Sequence, residues 1–367
     1  MSGANVTMIG NFPPPLGGAA FVNEIVSNAL VNEGVNVTRV DVSGPALSHS
    51  RSLIYHARRS IRNLVGLWRA RAAGTRDATL YIVPDAGLGA WYTRAHMAGA
   101  AGCYGAVVIH HHSCRYVEQY DRAIAAVTEI ARQRGTHIFL SDGMAAGYQR
   151  QYGEVSFRIA TNARFVAAEA ELPAALRPPG AIRVGHLSNL CIEKGFFAVA
   201  DAFGALRSSG VDATLTLAGP ILDAEVEGRL EKLYEDYGTA VQYLGSLSGD
   251  RKLEFYRGID VFFFPTAFRQ EAAPLVIYEA LAAGCPVLAT DRGIISEIIP
   301  PVGGAVCGRD EDYSLFVISY IRSRGWDEGA RNLRSDQIKT WIRAEAVSST
   351  TQHGSVLAQL AADPQCQ

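Results

Sequence analysis

Two glutamates, Glu271 and Glu279, stand eight positions apart in FFFPTAFRQEAAPLVIYEALAAGCPVLATDRG, residues 262–293. A carboxylate can accept two hydroxyl hydrogen bonds, so such a pair suits the hydroxyls of a sugar and of a ribose. Lys194, in HLSNLCIEKGF (186–196), brings a positive charge to a helix start before Gly195. Three consecutive histidines, His110, His111 and His112, close the apolar run GAVVIH and precede Ser113. Neighbours on an extended chain alternate faces, so at most His110 and His112 share one side. No further histidine, cysteine or acid stands at ligand spacing, so these histidines do not predict a metal centre. Gly17 and Gly18 open a helix after the first strand, which lets backbone approach an anion closely. Their spacing is not GxGxxG, so a nicotinamide site is not predicted.

The glutamates need a strand and a helix to hold them. The run DVFFF reads as a buried strand that enters Pro265 and a polar loop. A helix follows with Pro274 in its first turn, a favoured early position. Gly284 ends that helix, Pro286 forbids its return, and PVLAT is the next buried strand. Glu271 then stands at the helix mouth and Glu279 in its body. A helix N-terminus carries unpaired N–H groups and about half a positive charge, which suits a diphosphate.

The whole chain repeats this alternation. NVTMIG, VNVTRVDV, ATLYIV, GAVVIH, THIFL and SFRIA are strand-like, with amphipathic stretches between most of them. LPAALRPPGA, 172–181, interrupts the pattern with three prolines and a glycine, as a linker would. AIRVGHL, ATLTLAG, VQYLG, DVFFFP and PVLAT then resume it. The expectation is α/β: two doubly wound parallel sheets, with ligands at the carboxyl ends of the strands. We set the domains at 1–175 and 176–335, with a helical tail over 336–367 that packs back on the first domain. Asp142 and Asn162 fall at strand ends and are weaker site candidates. Asp310, Glu311 and Asp312 superficially resemble a metal-binding DxD, but their polar loop reads as a solvated turn.

The 367 residues are 48% hydrophobic and 19% charged, with a net charge of −2, so no global charge favours nucleic acid or an anionic membrane. The six cysteines form no CxxC pair, which argues against a disulfide framework or structural zinc. The first residues lack a signal-peptide pattern, and no stretch is long and apolar enough to span a bilayer. The expected location is cytoplasmic, peripheral at most to the inner membrane face. Residues 51–76 hold seven arginines and no acid. There Ile54, Ile61, Leu64, Val65 and Trp68 fall on one helical stripe, with Arg58, Arg59, Arg62 and Arg69 off it. Such a helix either packs its stripe on its own sheet or lies on an anionic membrane or acceptor.

E-x7-E followed by EALAAGCPVLATDRG resembles the retaining glycosyltransferases of family four, which have the GT-B fold, two Rossmann-like domains facing a central cleft. The resemblance covers most of the chain and is strongest from Arg183 to Pro300. It implies transfer of a sugar, with retention, from a nucleotide-diphosphate sugar to a hydroxyl acceptor that is a glycan, a lipid-linked or a small molecule. Glu271 then contacts the transferred sugar and Glu279 the ribose, while the backbone of Ala273, Pro274 and Leu275 lies near sugar and phosphates. Lys194 neutralises the leaving diphosphate, His112 meets the donor sugar, and Gly17 and Gly18 lie near phosphates and acceptor. The resemblance implies no cofactor beyond the nucleotide-sugar co-substrate and no metal. Two positions depart from the family pattern. Asn189 stands where the family has arginine, which leaves leaving-group stabilisation to Lys194, helix N-termini, Arg269 or Arg292. Pro274 stands where glycine is commoner and has no N–H to donate. The departures leave room for a nucleotide-sugar-binding protein without turnover; the fold also serves phosphorylases and epimerases.

Overall fold

A computed structural model describes residues 4–14, 17–44, 53–175 and 177–362. The chain forms two compact units: 1–161 together with 350–367, and 162–349. Strands of the first unit are β1 (Asn5–Gly10), β2 (Asn36–Asp41), β3 (Ala78–Ile82), β4 (Ala106–His110), β5 (Gly135–Phe139) and β6 (Phe157–Ile159). Those of the second are β7 (Ile182–Leu187), β8 (Ala213–Ala218), β9 (Val241–Tyr243), β10 (Val261–Phe264), β11 (Val287–Thr290) and β12 (Gly304–Cys307). All pairings are parallel. The sheet orders are β2-β1-β3-β4-β5-β6 and β12-β11-β10-β7-β8-β9.

Every strand-like run named from the sequence forms a strand. GAVC, which forms β12, is not among those runs; it begins on the Gly303-Gly304 pair and its centre is only half-buried, so it has no apolar run of the kind β10 and β11 show. β10 and β11 lie inside the second sheet, and their apolar runs are buried throughout apart from Thr290, as strands covered on both faces require. β2 is an edge strand and is mostly exposed. Each sheet has one point where strand order reverses, β1/β3 in the first and β7/β10 in the second. Loops at the carboxyl ends of those strands are where open α/β sheets take ligands.

The division between units falls at 161/162, ahead of the 172–181 stretch whose prolines predict a linker. That stretch is pinned inside the second unit. Arg177 is buried and donates to the carbonyls of Ile259 and Ala283. Arg331 donates to the carbonyls of Pro178 (3.0 Å) and Gly180 (2.7 Å) and to Asp260 (3.0 Å). Arg183 binds the same buried Asp260 with two nitrogens. Prolines therefore mark an irregular but buried path here. The final helix, Glu328–Ala361, starts ahead of the predicted tail and contributes to both units. Its last turns join the first unit, where Gln352 accepts from the Thr161 N–H (3.0 Å) and Arg158 donates to Gln359 (2.6 Å) and Ser355 (3.2 Å).

Candidate active site

In the second unit, the chain after β7 is forced against the end of β10. Gly195 has φ 84°, and a Cβ there would lie 2.0 Å from the Pro265 carbonyl oxygen. Only glycine fits such a close approach in the left-handed region. The Ala267 N–H donates to the Glu193 carbonyl (2.9 Å) across the same junction. This packing sets the Lys194 ammonium 2.6 Å from Glu271 Oε2 and over the Phe268 ring. Thr266 donates its hydroxyl to the same carboxylate oxygen (3.2 Å). Glu271 is buried, and both partners of the pair keep a small exposed fraction.

The segment Glu271–Pro274 is held from two sides. Gly293, at φ 56°, abuts the carbonyls of Glu271 and Ala272, where a Cβ would sit 2.4 and 2.9 Å away. Asn162 donates to the Ala273 carbonyl (2.8 Å). Pro274 is extended, with ψ 125°, and the helix is Leu275–Ala282, so the proline caps the helix rather than occupying its first turn. Glu279 lies within this helix. Its carboxylate is held by the Lys252 ammonium (2.5 Å) and by the hydroxyl of buried Tyr256 (3.0 Å). Lys252 and Tyr256 lie on the Gly249–Gly258 helix, at i and i+4, and so share a face. Neither is visible in the sequence, because nothing in GDRKLEFY distinguishes them from a solvent face.

Asn189 is half-buried beside Ser188. Buried His186 fixes that loop: Nδ1 donates to the Phe263 carbonyl (2.8 Å), which leaves Nε2 to accept from the Ser188 hydroxyl (2.8 Å). Burial pushes His186 down to about 4, so it is neutral. Arg269 is exposed. Arg292, next to Gly293, has a buried Nε with no hydrogen-bond partner among the described residues. Of the two alternative cations, Arg292 is the one built into the loop junction.

In the first unit, His110 and His112 do share a side, with ring centroids 4.0 Å apart. His111 points the other way, stacks on Phe139 and His137, and meets the Tyr116 hydroxyl at 3.1 Å. His110 Nδ1 meets the Tyr81 hydroxyl at 2.5 Å. The Nε2 atoms of His110 and His112 are buried with no hydrogen-bond partner among the described residues. Burial, and then the nearby His353, lowers His112 to about 3; burial also drives His110 well below its usual range. His353 comes from the final helix, 241 positions after His112, which no sequence spacing reveals. Gly17 and Gly18 are exposed at the start of the Gly18–Asn32 helix, and a Cβ on either would meet nothing within 4 Å. Asp142 is exposed on the first turn of the Asp142–Tyr152 helix. Glu311 accepts from the Gly308 N–H and Asp312 caps the Tyr313–Arg322 helix, so the acidic run is a turn and a cap. Among the described residues, no group of three or more His, Cys, Asp or Glu could hold a metal.

Solved structures share this architecture over nearly the whole chain. Sucrose-phosphate synthase from Thermosynechococcus elongatus superposes with a TM-score of 0.71 at 17% identity, over 97% of this chain and 98% of that one. The chain has the GT-B glycosyltransferase fold. The HepE protein of Anabaena in complex with UDP-glucose matches this GT-B chain with a TM-score of 0.63 at 14% identity, over 97% and 100%. Residues 169–316 match the family model of glycosyl transferases group 1. A sulfoquinovosyl transferase of Arabidopsis thaliana is 34% identical over 103 residues, 25% of this chain and 19% of that protein. A GDP-mannose-dependent alpha-(1-6)-phosphatidylinositol dimannoside mannosyltransferase of Mycobacterium tuberculosis is 29% identical over 170 residues, 46% and 43%. The GT-B chain thus spans less than half the length of these curated relatives.

Proposed function

We propose that the protein is a metal-independent glycosyltransferase that moves a sugar, with retention, from a nucleotide-diphosphate sugar to a hydroxyl acceptor. The carrying observation is the pair of lysine-held glutamates beside the β7/β10 switch point, Lys194–Glu271 and Lys252–Glu279. In this reading Glu279 takes the ribose and Glu271 the transferred sugar. Lys194 turns from Glu271 toward the departing diphosphate. The N–H groups of Leu275 and Val276 share that charge, since they have no partner within the helix, whereas the Ile277 N–H already donates to the Pro274 carbonyl (3.1 Å). Pro274 gives no N–H, so Leu275 is the first donor. Arg292 supplies the second cation that Asn189 cannot. His112, neutral and with an unpartnered Nε2, meets the donor sugar as a neutral hydrogen-bonding group, and Gly17 and Gly18 leave open space near phosphates and acceptor.

The names of the relatives range from sugar phosphates to lipids as products or acceptors, which supports a hydroxyl acceptor without narrowing its class. The second reading, binding without turnover, is favoured by Asn189 and Pro274 alone. A melting-temperature panel with UDP-glucose and GDP-mannose, followed by an assay of nucleoside-diphosphate release in excess EDTA, separates the two. A ligand at 100 times its dissociation constant stabilises by about 2.7 kcal/mol. We expect one donor to stabilise the protein and to be consumed in EDTA. Stabilisation without release under any acceptor supports the binding reading, and activity that needs added manganese or magnesium overturns metal independence.

A further inference from the structure

The helix Leu53–Ala73 turns its apolar stripe away from the protein. Its inward face is Asn63, Gly66 and Ala70, which are buried, with half-buried Leu67 packed against the core of the first unit. Asn63 meets His96 at 3.0 Å, and a Cβ on Gly66 would come within 3.1 Å of Val40 and Val42. The stripe therefore does not pack on its own sheet, which removes that reading of the sequence. Arg51 and the side chain of Ile54 lie outside the described residues. Ile61, Leu64, Val65 and Trp68, at i, i+3, i+4 and i+7, are 61%, 67%, 50% and 70% exposed. Such spacing places them on one stripe of the helix. Arg58, Arg62 and Arg69 run along one flank, Arg71 lies on the other, and all four are exposed. The helix carries five arginines and no acid; Arg59 is ion-paired to Asp85 at 2.7 Å, Arg62 lies 3.9 Å from Asp41 and donates to the Ser43 carbonyl (2.7 Å), and Arg71 donates to the Gly99 carbonyl (3.2 Å).

We infer that this face docks on a bilayer surface rich in anionic headgroups. The four apolar side chains enter the boundary between headgroups and acyl chains, and the arginines stay at the level of the phosphates, with their stems over the apolar row. Charge selects this occupant. A second copy would bring arginine rows together with no acid on the helix to neutralise them. No helix of the described residues is long and apolar enough to cross a membrane, so the contact is peripheral. It is independent of the proposed sugar transfer.

The test is co-sedimentation of the full chain with vesicles of phosphatidylcholine alone and of phosphatidylcholine mixed with phosphatidylglycerol. The mixed vesicles should bind the protein, and added salt should weaken that binding. The paired substitutions Leu64→Gln with Trp68→Gln, and Arg58→Glu with Arg69→Glu, should each lower partition by more than about tenfold. All four residues are exposed, so melting temperatures should match the wild type. Absence of binding to the mixed vesicles at low salt overturns the inference, as does binding that neither pair of substitutions changes. A concentration-dependent dimer that dissociates in the Leu64→Gln, Trp68→Gln variant, without vesicle binding, assigns the face to a second copy instead.

Discussion

The two units place chemistry at the same location, the carboxyl ends of a parallel sheet, and solve its electrostatics in opposite ways. The second unit keeps charge: each glutamate has an ammonium within hydrogen-bond distance, and each pair retains some contact with water. The first unit discards charge: His110, His111, His112 and His137 are stripped of protons chiefly by burial. A buried ionised group is costly unless paired, so an imidazole without an acid beside it turns neutral, whereas Glu271 and Glu279 each have a lysine beside them.

The largest effects should come from breaking the two charged pairs separately. Glu271→Ala should cut turnover by roughly 10²–10³ if its carboxylate acts where positive charge develops on the sugar. The dissociation constant for a nucleoside diphosphate should hold or fall, because Lys194 loses its competing partner. Glu279→Ala should do the reverse. A hydrogen bond to a charged group is worth roughly 1.5–3 kcal/mol, so that constant should rise roughly 10- to 150-fold. Calorimetric titration with UDP and GDP on variants of matched melting temperature checks both. If the Glu271 variant loses nucleotide affinity and the Glu279 variant keeps it, the two roles are exchanged.

Acid should separate the units next. Burial pushes His96 and His137 down to about 4 and His112 to about 3 in the first unit, whereas the second has His186 at about 4. The unfolded chain protonates these groups near 6.5. Native pKa values are depressed, so the unfolded state binds more protons below that pH. Stability from neutral burial is complete above 6.5 and is lost as pH falls toward 4, by about 1.4 kcal/mol per pH unit for each fully titrating histidine. Hydrogen exchange followed from pH 7 to 4.5 should show the first unit losing protection ahead of the second. Simultaneous loss in both would refute the assignment of acid sensitivity to this histidine group.

The same contrast explains what the sequence discloses. The placement of Glu271, Glu279 and Lys194 on their elements is legible because their neighbours are constrained locally: a buried strand, a close-packed glycine and a helix with a marked end. Both sheets are legible because their strand runs are short, apolar and regularly spaced. His353, Lys252 and Tyr256 reach their partners through tertiary packing, and helical runs without special residues give no sign of it. The stripe at Ile61, Leu64, Val65 and Trp68 was visible, but its direction was not, since periodicity defines a face and not what covers it. The buried path of 172–181 was hidden for a similar reason. Its prolines indicate irregular backbone, whereas the arginines that bury it come from Arg177 itself and from distant Arg331.

The smallest effect tests whether Glu279 is held for its task or merely paired. Tyr256 is fully buried and spends its hydroxyl on Glu279 Oε2, while Lys252 holds Oε1. Tyr256→Phe keeps the ring and removes one donor. Lys252 still pairs with the carboxylate, so the fold should lose no more than one hydrogen bond to a charged acceptor contributes, roughly 1.5–3 kcal/mol. If the two donors together orient the carboxylate toward a ribose, nucleoside-diphosphate affinity should also fall, by roughly 2- to 10-fold. A 2′,3′-dideoxy nucleotide, which lacks the hydroxyls in question, should then bind wild type and variant equally. A merely structural tyrosine would weaken both nucleotides by the same factor. An equal loss would therefore leave Tyr256 as a packing residue, and unequal losses would make it the positioning residue of the ribose contact.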